Sequence, residues 1–467
     1  MLGTRRYPGR FNLFQRTMMR WRGLHPYNAV HVMTIAAELD RDRLAQCVNG
    51  TLGQMGLNAL HLNRSRRRFR YGTVAQPLAV EFHPAGADAC ATVRAEMEAQ
   101  LNRPFPDTST QIPFRCFAVV EGHCFHVGLA YDHFVCGGDS IVGVLQAVFA
   151  AYDGHTKAAR ASAPPLLYPQ TYRSILARRP RETMRGMANM PDALLRARRS
   201  ARPRYSDVTD ARNAFLLAHI DPQTFRALLR TSKSWGVTVN DFFLAALLHA
   251  MAPLADLRRT ENPGLPIGVA SIANIRSEFE LPDARAFGQF LASFRVGHAV
   301  PPGISMQELA QDVQRETAAI KRDKVYLRII FALAFAGLNW PFLSQRRRHR
   351  FFPRTYPVWG GVTMLNVDAL WPPVGAIPGD IGPGVARADD TPMRGTPTID
   401  ARGRAADYVR GVSTGPLTPF VLAISTCCAG AALGVSYRPS VFAPDVAAGV
   451  LARIVDAIDQ ATVGIRP

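Results

Sequence analysis

The sequence predicts a two-lobed α/β protein, and three observations carry that expectation. The chain has 467 residues, beyond the size at which a single hydrophobic core keeps growing, so the core should divide. Strand-like and helical runs alternate in both halves, the pattern of sheets with helices packed on them. Between the halves lies a proline- and arginine-rich stretch that reads as a connector. The expected division is an N-terminal lobe over 1–160, a basic crossover linker over 161–207 and a C-terminal lobe over 208–467.

Residues 28–37 (NAVHVMTIAA) read as a strand, and 40–52 as a helix with Asp40 as its N-cap. Two β-rich runs, 113–120 and 124–131, flank Glu121-Gly122-His123 and predict a hairpin. A loop over 132–139 then leads to a helix over 140–152, where Ile141, Val144, Leu145, Val148 and Phe149 recur at helical spacing and Asp139 or Ser140 stands ready to cap the first turn. The second half repeats the theme: strand 215–220, helix 222–234, a strongly apolar helix 238–251, strands 267–272 and 290–296, and helix 305–322. Strands 420–425 and 431–437 should pair, and 445–461 should close the chain as an amphipathic helix.

Composition excludes several classes. With 48% hydrophobic and 19% charged residues the chain can build a core, and its 36 glycines and 34 prolines show no triplet period. Seven cysteines without a CxxC are too few and too scattered for a disulfide framework; together with an N-terminus whose apolar residues are interrupted by Arg5, Arg6, Arg10, Arg16 and Arg20, they lead to the expectation of a cytoplasmic protein with reduced thiols. The formal charge is +19, of which +10 falls between Lys157 and Arg204, where 12 basic residues face two acids. A second basic cluster, Arg64, Arg66, Arg67, Arg68 and Arg70, is expected on an edge strand or loop. Both clusters would attract phosphates: those of an acidic carrier protein, of coenzyme A or of anionic lipid heads. No zinc-finger, basic-zipper or RNP pattern accompanies the charge, so no nucleic-acid partner is expected. The apolar run 326–343 is interrupted by Arg328, Gly337, Asn339 and Pro341. It is expected as a helix packed in the body, or as a helix lying on a membrane with basic flanks, rather than as a span.

The run 113–152, PFRCFAVVEGHCFHVGLAYDHFVCGGDSIVGVLQAVFAAY, resembles the core of the condensation-domain and CoA-dependent acyltransferase superfamily, whose founding fold is that of chloramphenicol acetyltransferase. In that family a His-His-x-x-x-Asp-Gly loop joins a strand to a helix. His133 matches the second histidine and Gly138 the glycine, and, counting on without gaps, Ser140 and Tyr152 match the serine and tyrosine that commonly follow. The motif is degenerate at two places: Asp132 stands for the first histidine and Gly137 for the aspartate. The family aspartate holds the loop in shape through an arginine, for which Arg276 is the candidate. Asp139 could take over only if the loop refolds, and the unbroken register from Ser140 to Tyr152 argues against that. Arg103-Pro104-Phe105, Pro113-Phe114-Arg115, Asn28-Ala29-Val30, Thr238-Val239-Asn240-Asp241, Phe287-Gly288-Gln289-Phe290 and 362–367 (VTMLNV) are similar, in order and spacing, to further stretches of the family, wax-ester-synthase-like members among them.

The resemblance implies two chloramphenicol acetyltransferase-like lobes forming a V around a central tunnel. It implies condensation-type acyl transfer in natural-product or lipid biosynthesis, with an acyl group passing from a carrier-protein or CoA thioester to a hydroxyl or amine. His133 would be the catalytic base; Thr363, Asn366 and Arg276 would line the substrate tunnel, and Arg66, Arg67 and Arg68 would meet the carrier. No metal and no tightly bound cofactor are expected, the thioester being a substrate, and a monomer is expected. The alternative, favoured by Gly137, is an inactive condensation-fold protein that binds an acyl carrier or partner.

Elementary chemistry points the same way. An alcohol or amine attacking a thioester sheds a proton as the bond forms, and a histidine with an ordinary pKa of about 6.5 is the side chain best matched to take it. Gly137 and Gly138 are expected to take backbone angles that a side chain would forbid, and the following helix N-terminus supplies positive potential. Other motifs fit less well. Gly411-Val412-Ser413-Thr414-Gly415 spells a nucleophile elbow, but Pro416 and Pro419 follow where a helix is needed. His123, Cys124 and His126 read as strand residues rather than metal ligands, and Cys136 would need an activated thiolate to act as a nucleophile.

Overall fold

The hairpin expected at 113–131 forms the centre of the first lobe. Phe114–Glu121 and Cys124–Asp132 pair antiparallel and belong to a five-stranded sheet in the order Asp407–Val412, Asn28–Ile35, Cys124–Asp132, Phe114–Glu121, Val80–Pro84. The computed structural model describes residues 8–65, 67–72, 76–154, 172–256, 264–279, 285–371, 407–428 and 430–463. The two central strands are buried on both faces, which is why they read as near-continuous apolar runs. Helices Arg41–Gln54 and Gly138–Tyr152 pack together in this lobe, the first capped by Asp40 as expected, its side chain accepting from the amide of Arg43 at 2.9 Å.

The second lobe is built on a six-stranded sheet in the order Leu291–His298, Ile267–Asn274, Gly360–Asn366, Phe420–Cys427, Gly430–Tyr437, Ala214–Ile220. Helix Val239–Asp256 runs through its core, with Phe242 to Leu248 fully buried, and helices Pro222–Ser234, Met306–Arg322 and Pro444–Thr462 surround it. Helix Ala89–Asn102 joins the lobes: Val93, Met97 and Leu101 pack against Val30, Val32 and Phe117 of the first sheet and Phe215 and Ala432 of the second.

Two features depart from the sequence reading. Strand Asp407–Val412 lies in the stretch assigned to the second lobe, yet all six of its residues pair with Asn28–Ile35 of the first, from Asp407 opposite Thr34 to Val412 opposite Ala29. The basic strand Arg68–Gly72 is not at an edge. It runs between Gly9–Arg10 and Ala59–Asn63 in a separate four-stranded sheet, and Arg67, at φ 53°, turns the chain into it. Arg66 lies outside the described residues, as does the linker up to 171. From 172 the linker forms three short helices, Tyr172–Arg178, Pro180–Ala188 and Met190–Arg198, the last two with proline in the first turn, where its missing N–H costs nothing.

Candidate active site

The loop from Asp132 to Gly137 leaves the second central strand and enters helix Gly138–Tyr152, as the motif requires. The residue capping the helix is Gly137, through backbone alone, rather than the side chain of Asp139 or Ser140. The FGQF stretch of the second lobe clamps the loop. The amide of Gly137 donates to the carbonyl of Gly288 at 3.0 Å, and the side-chain amide of Gln289 donates to the carbonyl of His133 at 2.9 Å. The amide of His133 donates to the carbonyl of Tyr27 at 3.1 Å, so both backbone polar groups of His133 are held.

The His133 imidazole sits between the rings of Tyr27 and Tyr131, 5.3 and 5.8 Å from their centroids, and keeps 8% of its surface exposed. Its Nδ1 is shut away from solvent with no hydrogen bond of good geometry. Burial, and then the nearby Arg410 guanidinium, push its pKa down to about 4, against a smaller opposing pull from the backbone of Cys136. The ring is therefore neutral through the physiological range, with a nitrogen lone pair available to a proton.

Asp132, in the place of the first histidine, serves a different purpose. Its carboxylate meets Arg22 at 2.9 Å and staples helix Leu13–Arg22 to the loop. Burial nevertheless pushes its pKa up to about 7, since desolvation outweighs the attraction of Arg22 and Arg115.

Arg276, the arginine expected to meet an aspartate of the loop, is paired with Asp139. Asp139 forms an ion pair with Arg276 and accepts from the side-chain amide of Asn274 at 3.1 Å. Arg276 also donates to Ser140 Oγ at 2.9 Å and to the carbonyl of Ala286, and it stacks 4.4 Å over Phe290. The unbroken register did not exclude Asp139, because a carboxylate in the first helical turn reaches the same arginine without any shift of the chain. The expected special backbone angle is absent, since Gly137 has φ −82° and ψ 165°; space explains the glycine instead, because a Cβ at 137 would lie 2.9 Å from Asp139 Oδ1 and 3.5 Å from Gln289 Oε1. Gly137→Asp should therefore lower stability by roughly 1–3 kcal/mol through crowding and like charge. Gly137→Asp combined with Asp139→Gly should recover most of that loss; thermal unfolding midpoints of the two variants check both expectations.

The remaining candidates fall in different places. Thr363 lies under Arg410, which donates to the Thr363 carbonyl at 2.7 Å and to that of Ile424 at 3.1 Å. Asn366 caps the short helix Val367–Leu370 and also accepts from Thr426, so its carbonyl oxygen is committed at the strand end. Arg67 is exposed and Arg68 half-buried, while the neighbouring Arg64 is paired with Asp107. Ser413 follows a strand but leads into no helix, and its hydroxyl accepts from the amide of Asn28. Burial holds the Cys136 thiol well above its ordinary pKa, so it is no thiolate. Cys124 and His126 do gather with Glu121, the ligand atoms within 4.8 Å of one another; the sequence reading had placed Glu121 in the turn. Both ring nitrogens of His126 are engaged there, by Thr34 and Glu121, while His123 points into solvent.

Sequence reasoning missed the buried cluster behind His133. Arg410, on the crossover strand, is 4% exposed, and burial lowers its pKa to about 10. Around it lie His31, whose Nδ1 is 2.7 Å from the hydroxyl of Tyr408, and Tyr131. The available signal was a single arginine inside the apolar run Tyr408-Val409-Arg410-Gly411-Val412. A cleft of about 770 Å³ opens beside edge strand Leu291–His298, lined by Leu194, Phe294, Arg295, Ile320 and Tyr356. An apolar recess shares its Leu194 and Tyr356 wall and reaches Phe14 and Trp21. His133 is in neither wall; Tyr27 stands between, 5.3 Å from Trp21 on one side and from His133 on the other.

Comparison with known proteins places the fold. No family model matches the sequence, and no curated protein is similar enough to match it. Solved structures do match over nearly the whole chain. The first condensation domain of the calcium-dependent antibiotic synthetase, in complex with a substrate analogue, aligns with TM-score 0.67 at 14% identity, covering 98% of each chain. The EpoB cyclization-docking bidomain of a nonribosomal peptide synthetase from Sorangium cellulosum aligns at TM-score 0.62 and 14% identity, covering 98% of this chain and 84% of its own. The condensation domain of the monacolin K polyketide synthase MokA aligns at 0.59 and 12%, covering 98% of each. The chain has the two-lobed fold of these condensation domains, as the sequence resemblance implied.

Proposed function

We propose that the protein is a condensation-type acyltransferase, moving an acyl group from a carrier-protein or CoA thioester to a hydroxyl or amine. The observation that carries the reading is the placement of His133 between a buried strand and a helix, on a loop clamped by Gly288 and Gln289 and braced by Asp139 and Arg276. His133 takes the proton of the acceptor as its oxygen or nitrogen attacks the thioester carbonyl, and the thiol leaves with a proton returned from the imidazolium. A cation fixed inside a dry site favours negative charge far more than one in water, so Arg410 supplies positive potential toward the oxygen that becomes an oxyanion. The pairing of Asp139 with Arg276 supports the active reading over the inactive alternative that Gly137 favoured. The similarity to synthetase condensation domains supports a carrier protein as donor, with Arg67 and Arg68 as the residues to meet it.

The test is incubation of the purified protein with a panel of acyl thioesters, on CoA and on phosphopantetheine-bearing carrier protein, each with alcohol and amine acceptors, followed by mass spectrometry. Ester or amide formed beyond the rate without protein supports the reading. Saturable carrier binding without any product would return the alternative.

A further inference from the structure

Six of the ten large apolar side chains exposed among the described residues sit on two stretches: Met184, Met187 and Leu195 on the linker helices, and Phe335, Leu338 and Phe342 on and just after helix Arg328–Asn339. Phe342 is 85% exposed and Leu338 72%. Residues 335, 338 and 342 recur at i, i+3 and i+7 and form one stripe. Helix Arg328–Asn339 packs against helices Leu13–Arg22 and Pro180–Ala188, which brings the two stretches together. Its inner face, Ile330, Leu333 and Ala336, is buried.

The segment Val325–Phe342 is long and apolar enough to cross a membrane, but only 28% of it is buried in the protein. The equally apolar helix Val239–Asp256 has its apolarity accounted for by the core around it. Here the inner face is used in packing and the ends turn as 3-10 helix at Val325–Leu327 and Trp340–Phe342, so the segment lies along a surface rather than passing through one.

The flanks are basic. Exposed Arg181 and Arg185 alternate with Met184 and Met187, and exposed Arg346 and Arg347 follow Phe342 closely. Helix Gln345–Thr355 carries five arginines and no acid. Arg346, Arg350 and Arg354 recur at i, i+4 and i+8, a like-charge row that weakens a helix, and with Arg202 they line a pocket of about 380 Å³. Asp207 in that wall already accepts from Thr209.

We propose that this face docks on an anionic phospholipid membrane: Phe335, Leu338 and Phe342, with Met184 and Met187, enter the boundary between headgroups and acyl chains, and the arginines meet headgroup phosphates. An acidic protein partner would account for the charge but not for the exposed Phe342 and Leu338. A second copy would bring the same row of arginines against itself. Membrane docking stands whether or not His133 transfers an acyl group, and its test reads binding alone.

The full chain should co-sediment with vesicles of equal phosphatidylglycerol and phosphatidylcholine in 0.1 M salt, and at least tenfold less with phosphatidylcholine alone or in 0.5 M salt. Leu338→Glu/Phe342→Glu, at exposed positions, should weaken sedimentation at least tenfold with an unchanged unfolding midpoint; Arg346→Glu/Arg347→Glu should weaken it and flatten its salt dependence. No sedimentation of the wild-type chain with the anionic vesicles would overturn the proposal, as would apolar variants that sediment like wild type. So would light scattering that shows a wild-type dimer dissociated by Leu338→Glu/Phe342→Glu, since the stripe would then be covered by a second copy.

Discussion

Changing His133 to alanine is expected to lower the single-turnover rate of acyl transfer by about 100-fold or more, the usual range for loss of a general base. The loop should survive the change, because what holds it at this position is backbone: the His133 amide on Tyr27, its carbonyl under Gln289, and the Gly137 amide on Gly288. The variant should therefore lose rate while still binding the thioester. Quenched-flow turnover with saturating donor, read beside a circular dichroism melt, separates the two. A folded variant that retains most of its rate would remove His133 from the chemistry.

The second large effect concerns the brace. Asp139 and Arg276 keep only 13% and 11% of their side-chain surface exposed, and together they tie the first turn of the loop helix to the second lobe. Breaking one partner leaves a largely buried charge without its counter-ion, so Asp139→Asn and Arg276→Met should each destabilise the protein by about 3 kcal/mol. The double variant should lose clearly less than the sum, because the second change removes a charge that the first had already stranded. Denaturant midpoints of the four proteins supply the cycle. Additive losses would mean that the two side chains act separately and that the loop is braced elsewhere.

The parts of this fold governed by local pattern were legible in the sequence. Two β-rich runs about the Glu121-Gly122-His123 turn announced the central hairpin; helical spacing from Ile141 to Phe149 announced the loop helix; Asp40 capped where it was expected. His133 could be singled out because the loop's glycines and its register are also local. The Asp139–Arg276 pair was harder. Its residues are 137 positions apart, and an expectation built on motif position alone required the carboxylate at 137. An α-helix advances only about 1.5 Å per residue, so a carboxylate two residues on, inside the first turn, still reaches the arginine. The crossover strand was invisible for a related reason: six residues can carry strand character, but nothing local says that Asp407–Val412 belongs beside Asn28–Ile35. Arg410 arrives on that strand, so the cation that helps lower the His133 pKa could be found only from the fold.

The account stands most directly on one measurement: single-turnover acyl transfer by the wild-type chain from a carrier-bound thioester, followed from pH 5 to pH 8. A base acts in its deprotonated form, and rate is lost only as pH falls through its pKa. With burial and Arg410 holding His133 down to about 4, the imidazole is already largely neutral at pH 5, so the rate constant should be nearly flat across the window apart from any step set by the neighbouring Asp132, whose carboxyl is pushed up to about 7 and whose step Asp132→Asn removes. Absence of product with any donor and acceptor, or a rate that climbs through a titration centred near 6.5 as for a solvated histidine and still does so in Asp132→Asn, would contradict it.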